Sequence, residues 1–441
     1  MKYCDAVVIG GGILGCFVAR NLRRWEISTI LLEKEEDVCS GITRANSAIC
    51  YAGYDNKPGS LKAELAVRGN AKMAALCEEL EVPFERCGSL LVTYDEESLP
   101  ELEKKLQNGL ENGVPGLRLI SAEEAEAMEP MLKKGILKAL YAPSTGTMNP
   151  WKLGIAAFEN ALNNGAEARM KAEVLEIEAA QNGYEIITAD ERYHCRMVFN
   201  CAGLFADKVQ ELLFSPSVRL DLDAAEYLVF DSLAAKPSTL IFEQAKSCGK
   251  GITAIPCVEG NLLISGVRKP MAAHFATTQE GLKDLSAAAK FLLPDIDLSK
   301  VIRSFAAVRP NPYKMDGESL HDFTIENPAP GFYSLIGIKT PGLTVCNELG
   351  LLLSEKAKAC LGAEENTDFN PRRRAISEKD SEIICQCEKI SKAEIIEAIS
   401  RGAISPDGVK RRVGTGMGRC QGSRCSLAVE RLIREYHDGK C

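Results

Sequence analysis

The chain opens on a short apolar run, Asp5-Ala-Val-Val-Ile9, that stops at Gly10. Such a run reads as a strand buried on both faces of a parallel sheet. From Ile13 to Arg24 the apolar positions fall at helical spacing, and Ile27–Leu32 is a second apolar run ending at Glu33. Strand, glycine turn, helix and strand make a βαβ unit. Further helices are predicted over Ser60–Leu80, Leu99–Asn112 and Gln279–Leu292. Ser121 and Glu124 have the spacing of a capping box. Asn149-Pro150 sets an N-cap residue and a first-turn proline before a helix that runs to about Asn163. Short β-like runs lie around Val174, Ile186 and Val198, then at Tyr227–Phe230, Thr239–Phe242, Leu262–Ser265 and Val301–Val308. Phe332–Ile336 reads as a late buried strand and Gly342–Leu361 as a long helix. Glu364–Glu382 is polar, carries Arg372-Arg373-Arg374, and reads as a linker.

Length and composition narrow the class. The 441 residues suggest about two to four domains. Apolar residues make up 46% and charged residues 26%, which excludes disorder as the main state. A net charge of −8 argues against a nucleic-acid protein, which needs a basic face. No run approaches about 18 apolar residues, so no transmembrane helix is expected. The N-terminus lacks a basic n-region, so no signal peptide is expected either. The 17 cysteines are scattered through apolar stretches. That pattern suits reduced thiols in the cytoplasm plus one metal site. Charge is uneven: residues 383–441 carry 11 Lys+Arg against 7 Asp+Glu, while the remainder carries 42 against 54. The C-terminal stretch therefore reads as a separate module.

Two motifs carry chemistry. Gly10-Gly-Gly12-Ile-Leu-Gly15 fits G-x-G-x-x-G: a tight turn, a close approach to a pyrophosphate, and close packing of helix on strand. The following helix start offers N–H donors and a positive dipole end. Glu33, at the end of the next strand, is placed to accept bonds from a ribose. The motif alone does not separate FAD from NAD. Its position at the extreme N-terminus favours FAD, as do the later glycine-rich strand ends at Gly203 and Gly337–Gly342. The second motif is Cys385-x-Cys387 and Cys420-x₄-Cys425, two close pairs bridged by a helical stretch. Four thiolates hold zinc or an iron–sulfur cluster, and C-x-C is tight for structural zinc. Lys410, Arg411, Arg412, Arg419 and Arg424 offer positive charge against a cluster dianion.

These motifs, with Cys39-Ser-Gly-Ile-Thr-Arg-Ala-Asn46-Ser47, Ala52-Gly-Tyr-Asp55, Asn200-Cys-Ala-Gly203 and Ser304-Phe-Ala-Ala-Val-Arg309-Pro310, give residues 3–362 a resemblance to a family. They resemble the D-amino-acid-oxidase-like FAD-dependent oxidoreductases. Within these, the likeness is to the branch of anaerobic glycerol-3-phosphate dehydrogenase large subunits and L-2-hydroxyglutarate dehydrogenases. Residues 383–425 resemble the bacterioferritin-associated-ferredoxin-like [2Fe-2S] domain. The resemblance implies an α/β fold: a Rossmann-like FAD-binding domain (1–85, 145–220 and 315–362) and an inserted α+β antiparallel-sheet substrate domain (86–144 and 221–314). A linker (363–382) and a small helical iron–sulfur domain (383–441) complete it. It implies that Gly10, Gly12, Gly15, Glu33 and Lys34 hold the ADP half of FAD. Thr43, Asn46 and Ser47 would lie near the pyrophosphate and flavin, Val174 at the adenine, and Gly203, Gly337, Gly342, Leu343 and Thr344 along the flavin. Cys385, Cys387, Cys420 and Cys425 would hold the [2Fe-2S] cluster.

On the substrate side, Arg309 matches the anion-anchoring arginine of many relatives, with Lys339 and Arg268 as further cationic candidates. Relatives often carry His before Ala-Gly-Tyr, where this chain has Tyr51. Tyrosine can hydrogen-bond a substrate oxygen but is a poor base at its ordinary pKa near 10. Relatives also have Arg-Gly-Glu where this chain has Ala224-Ala225-Glu226. His194, His274, His321 and His437 offer no clear replacement. The expectation is an FAD-dependent dehydrogenase of glycerol 3-phosphate or a 2-hydroxy acid that passes electrons through the cluster to an acceptor protein or partner subunit. An amine or amino-acid dehydrogenase, or a non-catalytic electron-transfer subunit, is the alternative.

Overall fold

A computed structural model describes residues 1–244, 250–266, 269–270, 276–377 and 380–440. Its first layer is an eight-stranded sheet. At the centre, β1 (Lys2–Ile9) is joined to the parallel strand β2 (Thr29–Leu32) by α1 (Ile13–Leu22). Ala6–Ile9 and all of β2 are buried, as expected of strands covered on both faces. β2 pairs in parallel with Glu167–Arg169, and β1 with β3 (Arg192–Asn200). The end of β3 pairs in parallel with Phe332–Ile336. All of these chains therefore point the same way, and their carboxyl ends open on one edge. α1 packs between α2 (Pro150–Asn163) and α3 (Gly342–Leu361) over one face of the sheet. Asn149 caps α2 as expected, its Oδ1 accepting from Trp151 N and Lys152 N. Ser121 caps the short helix after it, but the box is half made: Glu124 reaches Arg118 at 2.6 Å instead of the cap's own N–H.

The second layer is a nine-stranded, mostly antiparallel sheet. Its longest pair is β4 (Val218–Phe230) with β5 (Val301–Lys314), matched from Val218–Lys314 to Phe230–Val301. Sequence pattern ends this last strand at Val308. The strand continues through Arg309, Pro310, Asn311 and Pro312 because β4 supplies a partner for its whole length. Among the described residues β5 pairs within this sheet with β4 alone, so its prolines interrupt no second ladder there. The helix Gln279–Leu292 covers one face through Leu285, Ala289 and Leu292.

The C-terminal unit is a short hairpin (Ile383–Cys385 with Ile390–Ser391) and the helices α4 (Lys392–Ser400), α5 (Pro406–Val413) and α6 (Ser426–His437). A capping box of Ser391 and Glu394 starts α4. Ile395, Ile399, Val409, Val429, Leu432 and Ile433 make its core. A module of about sixty residues buries little, so metal ligation and docking supplement such a core. The polar segment before it is tied down rather than loose. Glu26 N donates to Glu364 O, Asn370 is held by Asn160 and Asn164, and Arg373 Nε meets Glu159 at 2.8 Å. Among the described residues no helix is long and apolar enough to cross a membrane.

Candidate functional site

At the carboxyl ends of β1, β2 and β3 lies a cavity of about 1010 Å³. It extends from the glycine turn to the face of the second sheet, where Tyr227, Thr253, Ser265 and Arg309 line it. Its size suits a large dinucleotide with room for a small molecule beside it.

The glycines explain one end. Gly10 has φ +103°, and a Cβ there would lie 2.6 Å from Cys201 O. A Cβ on Gly15 would lie 1.9 Å from Gly10 O, so this glycine lets α1 sit on β1 and does not line the cavity. A Cβ on Gly12 would meet only Thr43 Oγ1, at 3.6 Å, so the bare backbone there faces open space. α1 has no side-chain cap of its own; Thr43 Oγ1 accepts from Ile13 N at 3.0 Å. Glu33 is buried. Its Oε2 accepts from Gly11 N at 2.6 Å and its Oε1 from Glu35 N at 2.9 Å, while burial pushes its carboxyl above the ordinary range. Lys34 Nζ sits 3.8 Å over the Phe205 ring. Lys34, Val174 and Gly203 all face the cavity, Val174 from a loop before a strand rather than from a strand.

The loop 39–48 closes the next stretch. Asn46 shapes it from within: Nδ2 donates to Thr43 O at 2.9 Å and Oδ1 accepts from Ala48 N at 2.8 Å. Ser47 Oγ lies 3.4 Å from Tyr51 Oη. The Tyr51 ring stacks on Phe242, and its backbone N donates to Thr344 Oγ1 at 2.9 Å. Thr344 is thus buried behind the wall. Gly337 also stays off it: φ is +70°, and a Cβ would collide with Pro312 at 2.6 Å. Gly342 and Leu343, at the uncapped start of α3, do face the cavity. That positive helix end suits a ring system that gains negative charge on reduction.

Arg309 lines the far wall, and its Nε is buried with no hydrogen-bond partner among the described residues. Two residues on, and so on the same face of β5, Asn311 Oδ1 accepts from Lys339 Nζ at 3.1 Å. The two cations therefore face the same space. Sequence reasoning missed Asn311; strand alternation from Arg309 was the signal that pointed to it. Arg268 and His274 lie outside the described residues. No histidine among the described residues lines this cavity. His321 offers only its backbone carbonyl, to Lys62. Ala225 lines the cavity, whereas Glu226 turns away to Thr278.

The four C-terminal cysteines come together: Cys420 meets Cys387, Cys425 meets Cys385, and Cys425 also lies near enough to Cys420 to feel its charge. Among the described residues no group of three or more His, Cys, Asp or Glu is poised to hold one metal ion. Paired thiols fit a two-iron core better than a single tetrahedral zinc. Cys385 and Cys425 are buried, and Cys387 and Cys420 are partly exposed. Of the cations read as facing the cluster, Arg411 and Arg412 turn elsewhere, onto Asp37.

A βαβ unit with an open glycine turn, and a second sheet aiming Arg309 at the same cavity with Lys339 reaching it from the end of the first, fit a flavin-dependent oxidoreductase. The chain belongs to the family of FAD dependent oxidoreductases, whose model matches residues 5–356. The BFD-like [2Fe-2S] binding domain matches residues 383–435. Its cofactors are FAD and a [2Fe-2S] cluster. It is 38% identical to glycerol 3-phosphate dehydrogenase of Caloramator mitchellensis, over 98% of this chain and 94% of that one. It is 28% identical to human mitochondrial L-2-hydroxyglutarate dehydrogenase, over 73% and 81% of the two chains. Among solved structures, FAD-bound L-alpha-glycerophosphate oxidase from Mycoplasma pneumoniae superposes with a TM-score of 0.78 at 23% identity, over 85% of this chain and 99% of that one.

Proposed function

We propose that the chain oxidises a small anionic alcohol, glycerol 3-phosphate ahead of a 2-hydroxy acid, and delivers the electrons singly to an acceptor protein. The observation that carries the substrate class is Arg309 Nε, buried with no hydrogen-bond partner among the described residues, with Lys339 facing the same cavity. A guanidinium edge kept dry and unpaired suits a phosphate or carboxylate, which it grips through a fork of N–H donors. The full-length likeness to glycerol 3-phosphate dehydrogenase supports phosphate over carboxylate.

Bound FAD supplies the hydride acceptor, and the cluster supplies a one-electron outlet. The protein's part is positional. Gly10, Gly12, Glu33, Lys34, Thr43 and Val174 cradle the dinucleotide half, with Gly15 setting the approach of α1. Asn46 fixes the loop that covers the cofactor, Gly203, Gly342 and Leu343 flank the flavin, and Gly337 and Thr344 support that wall from behind. Arg309 holds the substrate anion, Lys339 adds a second positive contact, and Tyr51 offers a hydrogen bond to the substrate oxygen. Losing hydride and the hydroxyl proton turns the alcohol into a carbonyl. Cys385, Cys387, Cys420 and Cys425 hold the cluster. Its half-exposed Cys387–Cys420 edge carries the exposed cations Lys389, Arg419 and Arg424, which favour an acidic acceptor. The load of thiols supports a location in the reducing cytoplasm.

The test is a visible spectrum of anaerobically purified protein before and after adding glycerol 3-phosphate. Bleaching of both flavin and cluster bands supports the reading. Unmoved bands reject glycerol 3-phosphate, and a panel of hydroxy acids and amino acids then decides between an alcohol and an amine.

A further inference from the structure

The iron–sulfur module reaches the flavin cavity. α5 packs on α2, and its two arginines meet Asp37, which is 2% exposed. Arg412 takes it with both nitrogens, Nη1 to Oδ2 at 2.7 Å and Nη2 to Oδ1 at 3.0 Å. Arg411 spends only Nη2 on Asp37, at 3.0 Å. Its Nε is buried with no hydrogen-bond partner among the described residues, and the residue, only 7% exposed, forms part of the cavity wall. Glu159 lies 4.0 Å from Arg412 Nε but is shared with Arg373 and Arg401. Two carboxylates, Asp37 and Glu159, thus face four guanidiniums, and a buried surplus of positive charge requires an anion.

The place of that surplus is fixed by the chain around Asp37. Cys39 N donates to Gly11 O at 2.9 Å, and a Cβ on Gly11 would touch Val38. Asp37 therefore rides on the glycine turn, and Arg411 is brought to the phosphate end of the cavity. Three other carboxylates on this wall, Glu35, Glu36 and Asp407, are exposed and screened by water. Glu33 is satisfied by backbone N–H groups.

We propose that Arg411 is part of the FAD site: the iron–sulfur module supplies a guanidinium for the cofactor's diphosphate, so that FAD binding and module docking reinforce each other. By linkage, whatever FAD gains from the docked module, docking gains from FAD.

The experiment uses the full-length protein with its cluster. FAD dissociation is followed by the fluorescence of released FAD for the native chain, Arg411→Gln and Arg411→Lys. Cluster content is read by visible circular dichroism, and module docking by hydrogen exchange over 33–41 and 406–413. Arg411→Gln should weaken FAD about tenfold, about 1.4 kcal/mol, with Arg411→Lys between the two and the cluster retained. Unchanged FAD affinity overturns the proposal. If Arg411→Gln also undocks the module, the native chain stripped of FAD decides. Faster exchange over 406–413 than in the holoprotein supports the linkage, and equal exchange overturns it.

Discussion

A Cβ at Gly15 would land 1.9 Å from a backbone oxygen, whereas one at Gly12 would find open space. The same motif therefore contains one glycine required by the fold and one, on the proposed reading, kept bare for the ligand. Gly15→Ala should lower the melting temperature with and without FAD. Gly12→Ala should leave the FAD-free melting temperature unchanged and abolish the rise that added FAD gives. Equal behaviour of the two variants in thermal melts would refute this division. Arg309 is the residue whose chemistry reaches furthest. A charge-assisted fork contributes about 1.5–3 kcal/mol, so Arg309→Ala should raise KM for the substrate about 10- to 100-fold. Arg309→Lys should recover only part of that, because it keeps charge and loses the fork. Steady-state kinetics with an unchanged KM would remove Arg309 from the anion site. The place of Tyr51, stacked on Phe242 and anchored through its backbone N to Thr344, is set by neighbours distant in sequence.

Between elements, the interface of α5 with α2 and the 33–41 loop is polar and buried. Glu159 on α2 meets Arg373 at 2.8 Å and Arg401 at 3.2 Å, beside the Asp37 cluster. Burial alone would raise the Asp37 carboxyl, but Arg412 and Arg411 outweigh it and hold it below the usual carboxylate range. A depressed folded value means that the Asp37 contribution is complete above the unfolded pKa, about 3.9. It is lost only as pH falls through the folded value. Docking should therefore persist from neutral pH down to about pH 4 and fail below it, as read by protease cleavage in 364–377. Undocking between pH 5 and 7 would contradict it. Asp37→Ala leaves two guanidiniums buried without their carboxylate and should cost about 3–5 kcal/mol of docking stability.

For the whole molecule, a two-electron centre and a one-electron centre are held in one chain. Cys420→Ser should remove the cluster while leaving substrate able to bleach the flavin, and should abolish reduction of a one-electron protein acceptor. Anaerobic spectra and acceptor assays on that variant check both halves. Reduction of the acceptor at the native rate without a cluster would exclude the relay.

The fold class and the parts of the site carried on short stretches were legible from the chain itself. The βαβ unit, its glycines, the terminal Glu33, the Asn149 cap and the two cysteine pairs all depend on residues near one another in sequence. There, backbone geometry and spacing leave few alternatives. Lys339 and Arg309 were recognisable as cations, but only the tertiary fold brings Asn311, two residues on from Arg309, to Lys339. Arg411 and Arg412 were read as charge for the cluster because they precede Cys420. Tertiary structure sends them instead to Asp37, 374 and 375 residues away. The reason is electrostatic: a guanidinium taken out of water settles on a buried carboxylate, and no local pattern records where the chain brings that carboxylate. Sequence alone determined which chemistry this protein carries, and packing decided which residues share each cavity.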